Sequence, residues 1–228
     1  VNPGEEVIVP SPYWVSYTQM IKLAEGIPVF IPTTVESDYK ITPEQLRKSI
    51  TAKSKLMIFS FSCNPSGTVY TKEELSALAK VIAEKEDLFI ISDEIYEKVL
   101  YDGVVHTSIA SLGPEIAART VVINGVSKAY AMTGWRIGYA AGPKDLLTAM
   151  ANIQSQSTSN PCSISQKAAV VAFRDGDVFT EKMVAEFDRR RRVMIERLNA
   201  MPGVHCRRPT GAFYAFPNVR ALLGKQGS

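Results

Sequence analysis

The chain has 228 residues, of which 46% are hydrophobic and 21% charged, and its formal net charge is +3. This composition is that of an ordinary globular protein, long enough for one large α/β domain. The charge is too small to favour binding to nucleic acid or to an anionic membrane. No apolar run reaches the roughly 18 residues that a membrane-spanning helix needs. Three scattered cysteines form no CxxC pair, which disfavours zinc and disulfides and favours the cytoplasm.

The first two thirds of the chain alternate predicted strands and helices. The apolar patterns predict strands over 6–10, 28–31, 56–61, 88–92 and 120–124. Helices are predicted near 17–24, over 43–50 and from about 71 to 85. The last two begin at the N-cap residues Thr42 and Thr71. Because strands 88–92 and 120–124 are continuously apolar, we expect an α/β fold with a mostly parallel, doubly wound sheet.

Beyond residue 143 the pattern becomes almost purely helical. Helices are predicted over 143–154, 164–173 and 178–201, followed by two short strands over 204–209 and 211–216. The charge run Arg189–Arg192 is interpreted as a solvated helix face. We expect a large domain over 1–176, then an interdomain helix and the start of a smaller α+β domain over 177–228. Since that small domain is unfinished, the sequence is expected to be a fragment.

Two buried-strand patterns end next to reactive side chains. Asp93 follows the strand at 88–92, and Lys128 follows the strand at 120–124 in a Gly/Ser loop. A lysine amine has a free pKa of about 10.4, so a neutral, nucleophilic amine needs desolvation or a covalent partner. Parallel strands would bring the acid and the lysine to one edge of the sheet. That arrangement is expected of a pyridoxal phosphate site.

Each candidate residue has a plain structural alternative when taken singly. Asp93 fits a helix N-cap equally well, and Asn64 fits an ordinary β-turn. Arg136 has the type of side chain that clamps a phosphate, although a surface ion pair is the simpler interpretation. Trp14 is suited to stacking on an aromatic ring, but a core tryptophan is the commoner case. Their joint occurrence in this order is the stronger signal.

Several motifs together resemble one enzyme family. The chain is similar to the fold-type I, class I aminotransferases, particularly the bacterial aspartate aminotransferase-like subgroup. The resemblance covers essentially all 228 residues. The matching stretches are Asn2-Pro-Gly-Glu-Glu-Val-Ile-Val-Pro-Ser-Pro-Tyr-Trp14, Asn64-Pro-Ser-Gly-Thr-Val-Tyr70, Ser92-Asp-Glu-Ile-Tyr-Glu97, Ser127-Lys128, Met132-Thr-Gly-Trp-Arg-Ile-Gly-Tyr139 and Pro209-Thr-Gly-Ala-Phe-Tyr-Ala-Phe-Pro217.

The resemblance implies a role for each candidate residue. Lys128 would hold pyridoxal phosphate covalently through its amine, and Asp93 would pair with the pyridine nitrogen. Tyr96 and Asn64 would bond the ring's phenolic oxygen. By the same resemblance, the catalytic residues are Lys128, Asp93 and Tyr96.

The remaining implied contacts concern the phosphate, the ring face and the substrate. Arg136 would bind the phosphate. Trp14 would stack over the ring. Both Trp14 and Asn64 would contact the substrate. The family also makes Ser11-Pro12 and Asn64-Pro65 candidate cis peptides. The family's phosphate loop and its substrate-carboxylate arginine are expected outside 1–228, so these residues alone should bind cofactor weakly and show no productive transamination.

The implied activity is amino-group transfer between an amino acid, with aspartate as the default, and a 2-oxo acid such as 2-oxoglutarate. A homodimer is expected for the full-length protein, with no nucleic acid or membrane partner. Two alternatives in the same cofactor class are an aromatic or prephenate aminotransferase and a lyase of the same fold. A third, from another class, is the cofactor-sensing domain of a transcription regulator. The length of the natural N-terminus would separate the enzyme from the regulator.

Overall fold

A six-stranded sheet forms the centre of the protein in a computed structural model that describes residues 1–224. Its strands are β1 (Glu6–Pro10), β2 (Ile27–Ile31), β3 (Ser54–Ser60), β4 (Phe89–Asp93), β5 (Thr120–Gly125) and β6 (Gly138–Ala141). The spatial order is β2-β1-β3-β4-β5-β6. Neighbours among β1 to β5 pair in parallel, and β6 pairs antiparallel with β5. The predicted α/β fold with a mostly parallel sheet is confirmed.

Helices cover both faces of this sheet. They are α1 (Ser16–Leu23), α2 (Pro43–Ser49), α3 (Lys72–Ala83), α4 (Pro114–Ala117), α5 (Val126–Ala129), α6 (Lys144–Ser157), α7 (Ser163–Asp175) and α8 (Asp177–Asn199). Strand β1 shows how the two cores arise. Val7 and Val9 pack with Tyr17 and Ile21 of α1, whereas Ile8 joins the core beneath α2 and α3. Alternate side chains of a strand point to opposite faces, so a sheet covered on both sides needs apolar residues at every position.

The predicted starts of α2 and α3 are confirmed, and both helices begin with a capping box. The Thr42 hydroxyl accepts a bond from the Gln45 amide, and the Gln45 side chain bonds back to the Thr42 amide. Thr71 and Glu74 form the same reciprocal pair at α3. These bonds satisfy amides that the first helical turn leaves without intrahelical partners.

Strand β6 was not predicted from the sequence. It consists of Gly138-Tyr-Ala-Ala141, which lacks the β-branched residues that mark strands. The strand forms because Gly125 of β5 and Gly138 of β6 pair in register. These two glycines let the backbones of β5 and β6 approach closely. The formation of β6 is therefore a tertiary effect.

The predicted strand over 211–216 is wrong. The small second sheet pairs β7 (His205–Cys206) with β8 (Pro217–Asn218) instead. The amide of Gly211 donates to the Gly67 carbonyl, and that of Ala212 donates to the Val99 carbonyl. Because residues 211–212 bond to loops of the large sheet, they are not available to pair with β7.

The interpretation of Arg189–Arg192 as a solvated face is wrong for one member. Arg189, Arg190 and Arg192 are exposed on α8, but the side chain of Arg191 is only 4% exposed. Its charge is paired there with Asp102, from the connection between β4 and β5, at 2.8 Å. No helix within residues 1–224 is both long enough and apolar enough to cross a membrane.

Candidate active site

The carboxyl ends of β4 and β5 carry two of the candidate side chains. The strands are parallel neighbours, and Asp93 pairs in register with Ile123. Strand β5 continues to Gly125, three residues before Lys128. The structure therefore places the acid and the lysine at the same edge of the sheet, which is where ligands bind in open α/β folds.

Asp93 is half-buried, and both of its carboxylate oxygens accept hydrogen bonds. The Tyr17 hydroxyl donates to Oδ2 at 2.6 Å, and the Ile95 amide donates to Oδ1 at 3.2 Å. The second bond closes a local turn and is not a helix cap. Burial raises the pKa of Asp93 above its ordinary value of 3.8, while the two hydrogen bonds act in the opposite direction. A carboxylate in these surroundings would gain from a cationic partner.

Trp14 is positioned next to Tyr17, just before α1. The two rings meet edge to face with centroids 5.6 Å apart. Trp14 is 40% exposed, so it is not the fully buried core tryptophan of the simpler interpretation. Because Tyr17 is itself bonded to Asp93, this pair links the exposed indole to the end of β4.

Lys128 lies in the short helix α5, which begins directly after β5. A Cβ atom at Gly125 would lie 2.7 Å from the carbonyl oxygen of Ile137, so the close approach of the next strand requires glycine at this junction. The Nζ atom of Lys128 lies 5.7 Å from the centroid of the Phe213 ring. That distance lies within the range of a cation–π contact.

Tyr96 completes a contiguous group with Phe213. Their rings meet edge to face with centroids 5.3 Å apart, and the hydroxyls of Tyr96 and Tyr214 share a hydrogen bond. Burial, supported by that bond, raises the pKa of Tyr96 far above its ordinary value of 10.0. The phenol is protonated at neutral pH, and its hydroxyl can both donate and accept a hydrogen bond, one of which it shares with Tyr214.

Asn64 lies in the loop after β3, the strand next to β4. Two backbone bonds close this turn: the Cys63 amide donates to Thr68 at 3.1 Å, and the Gly67 amide donates to Cys63 at 2.7 Å. Asn64 is half-buried there. The Ser11-Pro12 and Asn64-Pro65 peptides are both cis, as the family resemblance implied.

Arg136 lies two residues before β6. It is exposed, it has a left-handed backbone with φ of 56°, and its Nη1 donates to the Thr133 carbonyl at 2.8 Å. No salt bridge within residues 1–224 involves Arg136, so the surface ion pair of the simpler interpretation is not formed. Its guanidinium group is available to an anion.

The site also holds a buried acid beside Asp93. Glu94 accepts hydrogen bonds from the hydroxyls of Ser92 and Ser108 at 2.8 and 2.7 Å, and its Oε2 lies 2.8 Å from Nε2 of His106. Burial would raise the pKa of Glu94, but the bonds from His106, Ser108 and Ser92 outweigh it and hold the pKa below 4.5.

Sequence reasoning missed Tyr17, Phe213 and Tyr214 as members of the site. Tyr17 follows Trp14 by three residues, which is nearly one helical turn, so an aromatic pair on one face was a usable signal. Phe213 and Tyr214 lay in the wrongly predicted strand. Nothing in their local sequence indicated a contact with Lys128 or Tyr96.

The side chains present fit pyridoxal phosphate, the cofactor that the resemblance implies. Lys128 offers an amine for the aldehyde, and Asp93 offers a carboxylate for the ring nitrogen. Tyr96 offers a protonated donor for the phenolic oxygen. Trp14 offers an exposed aromatic face, and Arg136 offers a cation for the phosphate. The half-buried carboxylate of Asp93, which accepts bonds but faces no cation in residues 1–224, is the observation that fits best.

Comparison with known proteins gives a consistent result. The family model for aminotransferase class I and II matches residues 1–226. An aspartate aminotransferase from Geobacillus stearothermophilus is 49% identical over 227 residues, which are 100% of this chain and 58% of that protein. An aspartate/prephenate aminotransferase from Nitrosomonas europaea is 48% identical over 99% of this chain and 57% of its own length.

A solved structure agrees with both sequence comparisons. The aspartate aminotransferase from Rhizobium meliloti superimposes with a TM-score of 0.95 at 43% identity, over 98% of this chain and 56% of that one. The chain thus spans less than three fifths of the length of these relatives. The family-model match, the sequence identity to the relatives and the superposition on the solved structure show that the chain belongs to the class I and II aminotransferase family.

Proposed function

We propose that the whole protein is a pyridoxal phosphate-dependent aminotransferase that moves an amino group between an amino acid and a 2-oxo acid. Aspartate is the proposed amino donor and 2-oxoglutarate the proposed acceptor, since the relatives are named for aspartate. The observation that carries the proposal is the placement of Asp93, bonded to Tyr17, at the same sheet edge as Lys128.

Lys128 and Asp93 carry the central proposed roles. When bound, pyridoxal phosphate would supply an electron-withdrawing ring that accepts the electron pair left by the substrate's α-proton. Lys128 would hold the cofactor through its amine, and once the substrate's amino group has displaced that amine, Lys128 would move the proton as a general base. Asp93 would face the ring nitrogen and keep it cationic through their opposite charges. The Tyr17 hydroxyl would orient Asp93 and favour its charged form.

The surrounding residues would bind and orient. Tyr96 and Asn64 would donate hydrogen bonds to the phenolic oxygen of the cofactor, and Arg136 would bind its phosphate. Trp14 would cover the ring face, and Trp14 and Asn64 would contact the substrate. Phe213, against the Lys128 amine, would limit the access of water to it. Well-oriented groups of this kind can account for about 7–11 kcal/mol of a reaction barrier.

A second candidate is an aminotransferase with prephenate or an aromatic amino acid as substrate. One relative is named aspartate/prephenate aminotransferase, and the proposed core residues would serve either substrate. Initial rates with aspartate, prephenate and aromatic amino acids would separate these cases. A lyase or a regulator is not favoured by the named relatives. The homodimer, the cytoplasmic location and the division into domains at residues 176 and 177 remain predictions.

Lys128→Ala in the full-length protein tests the central role. We expect loss of the cofactor adduct that borohydride fixes to the wild-type chain, and a fall in turnover of at least about a hundredfold, because the base is removed. Lys182→Ala is the matched control, since Lys182 is an exposed lysine whose Nζ also lies near a phenylalanine ring, 6.0 Å from Phe179. If the adduct persists in Lys128→Ala and is lost only when another lysine is replaced, the assignment of the cofactor to Lys128 is overturned.

A further inference from the structure

Arg191 is a buried arginine with a fully occupied guanidinium group, far along the chain from the site residues. Its Nη1 and Nη2 donate to the two carboxylate oxygens of Asp102, each at 2.8 Å, and its Nε donates to Asp188 at 2.8 Å. Nη1 also donates to the Pro209 carbonyl at 2.6 Å. The guanidinium carbon lies 4.3 Å from the centroid of the Tyr101 ring. Such a planar, bidentate arrangement is specific to arginine.

These contacts join three parts of the chain: helix α8, the connection 99–102 after β4, and the segment 209–214. The Tyr101 amide donates to Thr210 at 3.0 Å, and the Ala212 amide donates to Val99 at 2.9 Å. The Tyr101 hydroxyl donates to the Ala212 carbonyl at 2.5 Å. Arg191 therefore holds Pro209 at one end of a segment whose next residues are fastened to the same connection.

The far end of that segment reaches the candidate active site. Ala212 is fully buried, and the next two residues contact the candidate catalytic groups. Phe213 lies against the Lys128 amine and the Tyr96 ring. Tyr214 bonds the Tyr96 hydroxyl. Only three residues, 210–212, separate Phe213 from Pro209, whose carbonyl Arg191 binds, and their backbone is bonded to the connection 99–102.

We propose that Arg191 is a positioning residue, which through Asp102 and the Pro209 carbonyl fixes segment 209–214 so that Phe213 and Tyr214 contact Lys128 and Tyr96. In this role Arg191 touches neither substrate nor cofactor. The inference deepens the proposed function and rests on it for its effect on turnover. The effect of Arg191 on segment 209–214 follows from contacts within this chain and does not depend on the proposed function.

The test compares Arg191→Met with Arg190→Met in the full-length protein. Arg190 is a neighbour on the same helix, but it is exposed and pairs with Glu186. Hydrogen exchange of residues 209–216, measured by mass spectrometry, should be about tenfold faster in Arg191→Met than in the wild type. Arg190→Met should match the wild type. Turnover should fall about tenfold in Arg191→Met alone, with the KM for aspartate changed less than kcat.

A second variant covers the case in which Arg191→Met fails to fold. Asp102→Asn keeps Arg191 and its bond to Asp188 but weakens the bidentate pair, so it should raise exchange over 209–216 by a smaller factor. Unchanged exchange in Arg191→Met, or in Asp102→Asn if that is the only folded variant, would overturn the proposal. If borohydride fixes no cofactor adduct at Lys128 in the wild type, the proposed function is contradicted. The exchange measurement then remains an independent test of the positioning by Arg191.

Discussion

The hydroxyl of Tyr17 is the side-chain donor that acts most directly on the pKa of Asp93. The two residues are 76 positions apart, and their 2.6 Å bond is made across the end of the sheet. Because the bond favours the charged carboxylate, it offsets part of the rise in pKa that burial causes. A charged Asp93 is the state that the proposed pairing with a cationic ring nitrogen needs.

Tyr17→Phe keeps the ring and removes this bond, so the pKa of Asp93 should rise further. In the full-length protein, we expect the acidic limb of the kcat profile to move to higher pH. Turnover at neutral pH should fall about tenfold, which corresponds to about 1.4 kcal/mol. Tyr13→Phe is the control, because the Tyr13 ring stacks on Phe30 at 5.2 Å. An acidic limb that stays in place in Tyr17→Phe would contradict the role of the bond.

At the scale of secondary-structure elements, Glu94 ties the end of β4 to the loop that carries His106 and Ser108. Its carboxylate is 3% exposed and accepts bonds from both of those side chains. The lowered pKa means that the native state binds this proton less tightly than the unfolded chain. Glu94 therefore stabilises the fold above pH 4.5, and this stability is lost as the pH falls through the lowered native pKa.

Glu94→Gln should lower the free energy of unfolding by about 1–3 kcal/mol at neutral pH, the usual cost of disturbing buried hydrogen bonds to a charged group. The difference from the wild type should shrink as the pH is lowered below 4.5. Urea unfolding at a series of pH values measures both effects. Glu97→Gln is the control, since Glu97 lies 3.9 Å from His106 and is partly exposed. A difference that stays constant with pH would contradict the assignment.

On the scale of the whole molecule, helices α6 to α8 present many apolar side chains to solvent. Among the most exposed are Ile153, Ile164, Val170, Val171, Val178, Phe179 and Met194. Exposed apolar side chains in this number favour an interaction site on these helices. We associate it with the proposed homodimer.

Ile153→Asp should therefore weaken self-association of the full-length protein, because a charge would be buried in the interface. Sedimentation velocity over a range of concentrations should show at least a tenfold increase in the dimer dissociation constant. Val105→Asp is the control, since Val105 is 78% exposed but lies in the loop before His106, whereas Ile153 is 72% exposed on α6. Equal dissociation constants for both variants would place the dimer interface elsewhere.

Local sequence patterns were sufficient to predict most of the sheet. The continuous apolar runs of β4 and β5 indicate parallel strands, and the threonines at the starts of α2 and α3 indicate their caps. Strand β6 and the segment after residue 210 were not predictable in this way. Their conformations depend on bonds to distant backbone, such as those from Gly211 to Gly67.

The sequence by itself determined that an acid and a lysine lie at the ends of two neighbouring strands, because short loops after buried strands leave few other places for Asp93 and Lys128. Only the tertiary structure decided which side chains surround them. The Tyr17 hydroxyl, the Phe213 ring and the buried guanidinium of Arg191 reach their partners across 76, 85 and 89 positions respectively. Contacts over such separations depend on the packing of whole elements, and no local pattern of residue types records them.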